Sequence, residues 1–380
     1  MKTWISGMAA AALWLAAGAA LAESDVSLSG GVGYDSNVFD LNPVVGVQEG
    51  MFIGVDTSVE GTGKAARGWL KKADIGFSGE KFESGVGEGD RGRLYVRARA
   101  VSDEKYDENG WEWALRYQAR DQTFISRLTG LVATDTLGNV IGDRYDSGAG
   151  DFRGEWRFPG WKLGRLSLEG MVMDRNYTHD YAQFGLERLD YLQYGAGAGY
   201  ELGQGNGKFR LQLEARERAY KDRRVSDAAG NPVAGTDLVY RYYAADLRYR
   251  YRFPRRGAVA LKGGYEIRED NGVGFADRTE WNAGVQWDWR FKDDSRLSIE
   301  GEYSSRTFDN QVVGDPTIND EMPDKKGFDA RITYSRPFPF VDIRGFSLTA
   351  DLRWESFDNN RDVRYTYDRM VALIGVRQEF

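Results

Sequence analysis

The 380-residue chain has no cysteine, a single histidine (His179) and only 8 prolines. Without thiols, neither disulfides nor thiolate metal sites contribute, so stability must come from packing and from backbone hydrogen bonds that close on themselves. One histidine leaves little basis for imidazole catalysis or a histidine-rich metal centre. No excess of basic residues exists either: 51 Lys and Arg face 58 Asp and Glu, for a net charge of −7 and a pI near 5.2. That balance argues against nucleic acid as a partner. Beyond Ala22 there is no apolar run of the ~18 residues that a membrane-crossing helix requires, which excludes a helical inner-membrane protein.

The first residues differ from the rest. Lys2 supplies a positive end, Met8 to Ala20 is nearly all apolar, and Ala20-Leu21-Ala22 has the small-x-small pattern of a cleavage site. The expectation is a signal peptide over 1–22, a mature chain beginning near Glu23, and one barrel domain over 23–380 with no room for a separate periplasmic domain.

What the mature chain has in abundance is alternation. Aromatics make up 13% and glycines number 47, with a mean hydropathy of −0.56, as suits strands with one face to lipid and one to water. Trp111, Trp113, Leu115, Tyr117 and Ala119 alternate with Glu112, Ala114, Arg116, Gln118 and Arg120. Phe209 to Arg216 and Trp281 to Phe291 repeat the pattern. Further strands are expected near 26–38, 50–60, 69–82, 93–104, 147–158, 164–177, 188–202, 238–253, 258–270, 296–308, 327–337, 345–358 and 362–380. This is an all-β reading: a transmembrane antiparallel up-and-down β-barrel of about sixteen strands. The strands are too long for a soluble sandwich, where about five or six residues are usual. Connections at 40–49, 125–142, 178–187, 222–237 and 310–326 are long, and those at 158–161, 203–207, 253–257 and 291–295 are short. Long external loops and short periplasmic turns alternate in this way when the N-terminus is periplasmic. The expected location is therefore the Gram-negative outer membrane, with its lipid as the surrounding partner.

Parity then assigns an inward face. Its pore-lining candidates are Arg93, Arg97, Arg99, Arg116, Arg120, Arg153, Arg157, Arg210, Arg216, Glu112, Glu155, Glu214, Asp246, Glu266, Asp288 and Glu300. Two readings of the arginines stand: cross-strand ion-pair ladders, or a local excess around Arg93, Arg97, Arg99, Arg116 and Arg120 that forms a cationic track for anionic solutes or an acidic polysaccharide. Tyr95, Met171, Tyr240 and Tyr242 share that parity and either stack on sugars or pack beneath an infolded loop. The loop best suited is 125–142, whose apolar Leu128, Leu131, Val132, Val140 and Ile141 would not lie freely in water; it is the expected constriction. His179, beside Asp180, is expected to be a solvated loop residue. Acidic Asp315, Asp320, Glu321 and Asp324 could bind calcium but are more simply solvated. The sequence calls for no catalytic residue, metal or cofactor, and points away from an enzyme.

Two segments carry a resemblance. Gly33-Tyr34-Asp35-Ser36-Asn37-Val38-Phe39 in the first strand resembles the opening of the porin-2-like outer-membrane barrels encoded with exopolysaccharide biosynthesis genes, and also the barrel of surface lipoprotein assembly modifiers. Terminal Phe380, after the alternating Met370, Ala372, Ile374 and Val376, resembles the assembly signal read by the barrel-assembly machinery; Gln378 departs from its apolar preference. The modifiers carry helical repeats before their barrel and this chain has none, so the resemblance implies polysaccharide export, with periplasmic export components as partners. The alternatives are a general diffusion porin for small hydrophilic solutes, and a structural sheath or scaffold for a cytochrome or surface protein. Oligomeric state is open.

Overall fold

The structure, a computed structural model, describes residues 23–41, 43, 46–64, 70–83, 86–102, 110–126, 131–135, 137–159, 164–181, 186–254, 256–309, 325–338, 345–359 and 365–379. The expected signal peptide, Leu128, the 315–324 carboxylates and Phe380 lie outside the described residues.

The chain forms sixteen strands: β1 (Glu23–Asp35), β2 (Gly50–Lys64), β3 (Leu70–Phe82), β4 (Arg91–Val101), β5 (Gly110–Gln122), β6 (Ser147–Pro159), β7 (Gly164–Tyr177), β8 (Tyr191–Gln204), β9 (Gly207–Tyr220), β10 (Val239–Phe253), β11 (Gly257–Asp270), β12 (Arg278–Arg290), β13 (Arg296–Phe308), β14 (Lys325–Pro337), β15 (Phe346–Asp358) and β16 (Tyr367–Glu379). Each pairs antiparallel with its sequence neighbours, and β1 closes on β16. Closure removes the free edges that would otherwise leave backbone groups unpaired. Where a strand must reverse quickly, the turn residue takes a left-handed conformation: Gly205, at φ +55°, sits in the connection between β8 and β9.

Alternation in the sequence becomes the two faces of the wall. Trp111, Trp113, Leu115 and Tyr117 are exposed on β5, and their ladder partners Trp156 and Phe152 on β6 are exposed with them. The same parity carries Leu247 and Tyr249 on β10, Val285 and Trp287 on β12, and Ile374 on β16, all exposed. A water-soluble sheet would cover such residues; bare, they form the belt that hydrocarbon would solvate. Large rings gather at both rims. At the rim with the short turns, Trp111 stacks on Trp156 at 5.1 Å and Phe253 meets Trp289 at 6.5 Å. At the rim with the long loops stand Tyr34, Tyr194, Tyr243 and Trp281. Two aromatic girdles flanking an apolar band are what a bilayer's two interfaces select.

Candidate functional site: the inner wall

All of the sequence-derived charged candidates fall on the parity opposite the exposed apolar one. Register shows this pair by pair: Arg97 stands opposite Arg116 and Arg93 opposite Arg120, while the exposed Val96 stands opposite Tyr117. Several side chains on this parity bond across an intervening strand. Gln212 on β9 donates to Glu169 on β7 at 2.9 Å, Arg250 on β10 reaches Asp288 on β12 at 3.6 Å, Arg216 on β9 pairs with Glu266 on β11, and Lys262 on β11 pairs with Glu300 on β13. Contacts that skip a strand are favoured on the concave side of a curved sheet, where side chains converge.

Most of the arginines are paired. Arg97 donates to Asp74 at 2.8 Å, Arg99 to Glu112 at 2.8 Å, Arg116 to Asp151 at 2.6 Å and Arg157 to Glu155 at 2.9 Å. Arg153 approaches Glu169 at 3.5 Å, and Arg216 bonds Glu214 at 2.8 Å besides Glu266. Arg210 donates to the neutral Gln212 at 2.8 Å, and Asp246 stands opposite that glutamine. Each half-exposed pair is worth little by itself, of order 0–1 kcal/mol. Together they hold long side chains flat against the wall and keep it hydrophilic. Like Arg210, Arg93, which donates to Gln118 at 3.0 Å, and Arg120 have no carboxylate within 4.0 Å among the described residues. Of the five arginines in the local excess, Arg97, Arg99 and Arg116 are paired as in the ladder reading, and Arg93 and Arg120 are not.

Tyr240 and Tyr242 do pack beneath a loop, but not the one the sequence favoured. They are buried with Tyr191, Tyr220, Val225 and Leu238, so the covering segment is 221–238. Apolar character says that a loop must pack somewhere; chain continuity decided where, because this loop runs directly into β10. Met171 is buried too, while the ring of Tyr95 lies over Gly76, where any Cβ would collide with it.

Among the described residues of 125–142, antiparallel bridges join Ile125 to Val132 and Thr134 to Val140, as two tiers of a hairpin. Ile125, Ala133 and Ile141 are buried, whereas Leu131 and Val140 are 67% and 65% exposed. Its described contacts run to the ends of β5 and β6 and to the loop after β7. Phe124 packs edge-on against Tyr145, and the Asp146 carboxylate accepts from the Gln122 N–H at 2.9 Å while its carbonyl accepts from Thr178. The only histidine is drawn into this junction. Ligand atoms of His179, Asp143 and Asp146 lie within 4.8 Å of one another, and the imidazole Nε2 is buried. His179 is thus partly enclosed between carboxylates instead of free in solvent, a geometry that two loops distant in sequence create and that spacing does not reveal.

Burial pushes the Asp146 carboxyl up to about 6; the Gln122 N–H pulls the other way, the charges of Asp121 and Asp143 add to the rise, and His179 opposes it. Because the folded group holds its proton more tightly than the unfolded one, its contribution to stability is complete below about pH 4 and is lost as pH rises through 6. The 123–146 hairpin should therefore open more readily at pH 7.5 than at pH 5. Amide exchange of this segment, corrected for intrinsic pH dependence, checks this; Asp146→Asn should flatten the trend, and an unchanged trend would contradict it.

The missed residues lie at the seam. Asp35 and Asn37, marked in the sequence only by the resemblance of their segment, are both fully buried. Asp35 accepts from Arg369 on β16 at 3.0 and 2.5 Å and from the Asn37 N–H at 3.0 Å. Asn37 donates to the carbonyls of Leu41 and Asp368 and accepts from the Leu41 N–H. The segment that carries the family resemblance is, physically, the clasp between first and last strands.

No protein-family model matches the chain, and no curated protein matches it. Among solved structures, CdiB from Acinetobacter baumannii aligns at a TM-score of 0.51 and 9% identity, over 94% of this chain and 60% of that one. OccK2 (OpdF) of Pseudomonas aeruginosa aligns at 0.48 and 11%, covering 95% and 99% of the two chains. An anion-selective porin from Comamonas acidovorans aligns at 0.44 and 11%, covering 94% and 99%. Identities this low speak to architecture alone: the chain has the fold of the outer-membrane β-barrels.

Proposed function

We propose that the protein is an outer-membrane channel, and that its finer role is a conduit for a polysaccharide or similar hydrophilic polymer. The observation that carries the channel reading is the inversion of the two faces. The convex parity is bare and apolar, while the concave one is a mesh of ion pairs bridging neighbouring and next-nearest strands. Charged groups at that density need water to solvate them, and a barrel of this strand number leaves room for it. Polymer export rests on the resemblance of the Gly33–Phe39 segment. In this reading the inward charges keep the polymer hydrated, the 125–142 hairpin limits leakage at the long-loop rim, and periplasmic components supply the coupling. The barrel-assembly machinery would insert the chain through its last strand.

Planar-bilayer recordings of the refolded barrel, intact and with residues 128–140 deleted, test both levels. Silence in the intact protein and large steady currents after deletion is the expected result. Steady large conductance in both would replace the polymer conduit with a diffusion porin for small solutes. Silence in both, from barrels shown to be folded, would overturn the channel itself.

A further inference from the structure

On the inner wall a gap in the ion-pair mesh lies towards the long-loop ends of β4 to β7. Arg120 on β5 stands opposite both Arg93 on β4 and Ser147 on β6, and Ala149, one inward position along β6, stands opposite Arg175 on β7. Three guanidinium groups thus occupy nearly one level of the wall, towards the long-loop rim. Arg120 lies within electrostatic reach of Arg91, Arg93 and Arg175. Only Arg91 is neutralised, by Glu80 at 2.5 Å; among the described residues no carboxylate comes within 4.0 Å of the other three. Arg93 and Arg120 are exposed on the inward parity. The Arg175 Nε–H is buried and has no hydrogen-bond partner.

This arrangement is held, not loose. The Arg175 guanidinium lies 5.7 Å from the Tyr191 ring centre, and Arg218 lies 4.4 Å from the same ring, itself tied to Gln193 at 3.0 Å. A buried tyrosine between two cations fixes the position of Arg175 and prevents it from swinging towards distant carboxylates. Elsewhere many inward arginines, Arg97, Arg99, Arg116, Arg153, Arg157 and Arg216 among them, are answered by an acid; here three cations without a carboxylate are kept together, and a negatively charged visitor would relieve their repulsion.

We propose that Arg93, Arg120 and Arg175 form an oxyanion-binding site that takes carboxylate or phosphate groups of solutes entering the lumen. The proposal deepens the channel reading and rests on it for the wetness of the lumen. Guanidinium forks match such oxyanions in geometry, and a set of three suits an acidic saccharide better than a neutral one.

Calorimetric titration of the refolded barrel in non-ionic detergent at low salt provides the test, with trigalacturonate, inorganic phosphate and uncharged maltotriose as probes. Trigalacturonate should bind and maltotriose should not. The R93Q/R120Q/R175Q variant should bind trigalacturonate at least tenfold more weakly, and binding to the native barrel should weaken as salt is raised. R306Q/E280Q, which removes a paired arginine and its acid without changing net charge, should stay within twofold of the native protein. Phosphate binding lost in the triple variant as well would identify a site for any small oxyanion; saturable binding of trigalacturonate alone would identify one for acidic saccharides. A triple variant that binds as the native barrel does, or a native barrel that binds no anion, would overturn the site. Bilayer recordings on the native barrel and on its 128–140 deletion, beside the titrations, separate the two levels: binding with both barrels silent removes the channel reading and leaves the site, and currents after deletion without any anion binding do the reverse.

Discussion

Arg369→Gln is expected to destabilise the barrel by about 3–5 kcal/mol, the usual consequence of leaving one member of a buried ion pair without its partner. Asp35 is 0% exposed and Arg369 8%. Three guanidinium–carboxylate bonds of 3.0, 3.1 and 2.5 Å join them across β1 and β16, and a fourth runs from Arg369 to Asp40 at 3.1 Å. With the arginine gone, the Asp35 carboxylate keeps only the Asn37 N–H among its described bonds. Urea unfolding in lipid vesicles, followed by heat-modifiable gel migration, should show a clearly lower midpoint. The D35N/R369Q double variant, which removes both charges, should recover part of the loss. An unchanged midpoint in R369Q would mean that the clasp does not hold the seam.

Gly31→Val and Gly375→Val should be more damaging still and prevent closure. The two glycines stand opposite each other where β1 meets β16. A Cβ on Gly31 would lie 2.6 Å from the Ile374 carbonyl oxygen and 3.0 Å from the Gly375 Cα; one on Gly375 would strike the Gly30 carbonyl oxygen. These obstacles are backbone atoms, so no rotamer change relieves them, and relief requires the strands to part. Folding yield into vesicles should fall to near nothing for either variant. Gly150→Ala and Gly170→Ala, at positions with no heavy atom within 4 Å of the added carbon, should fold as the native chain does. A Gly375→Val barrel that closes normally would contradict the seam geometry.

The architecture was legible in the sequence because a two-residue period, marked by aromatics, survives from one end of the chain to the other. Strand number and pairing order followed from it. Strand limits drifted where the alternation fades: β4, expected over 93–104, runs Arg91–Val101, and β8, expected from 188, begins at Tyr191. The inner wall was legible only as a list of charges on one parity. Which arginines are neutralised depends on stagger between strands, and alternation within a strand carries no information about stagger. Arg216 and Glu266 meet across a strand that separates them, and Arg120 is left with cations, though nothing in their local sequence distinguishes the two arginines. The clasp illustrates the same limit at greater range. Asp35-Ser36-Asn37 has the composition of a turn, and its partner lies at Arg369, a residue that becomes its neighbour only when the barrel closes.

A channel of this kind requires the apolar parity to face lipid and the charged parity to face water. Because the chain has no cysteine, single cysteines can be placed at successive positions 112 to 118 of β5 and treated, in vesicles, with a membrane-impermeant thiol reagent. Labelling should be strong at Glu112, Ala114, Arg116 and Gln118 and weak at Trp113, Leu115 and Tyr117. Uniform labelling, or the opposite phase, would contradict the claim.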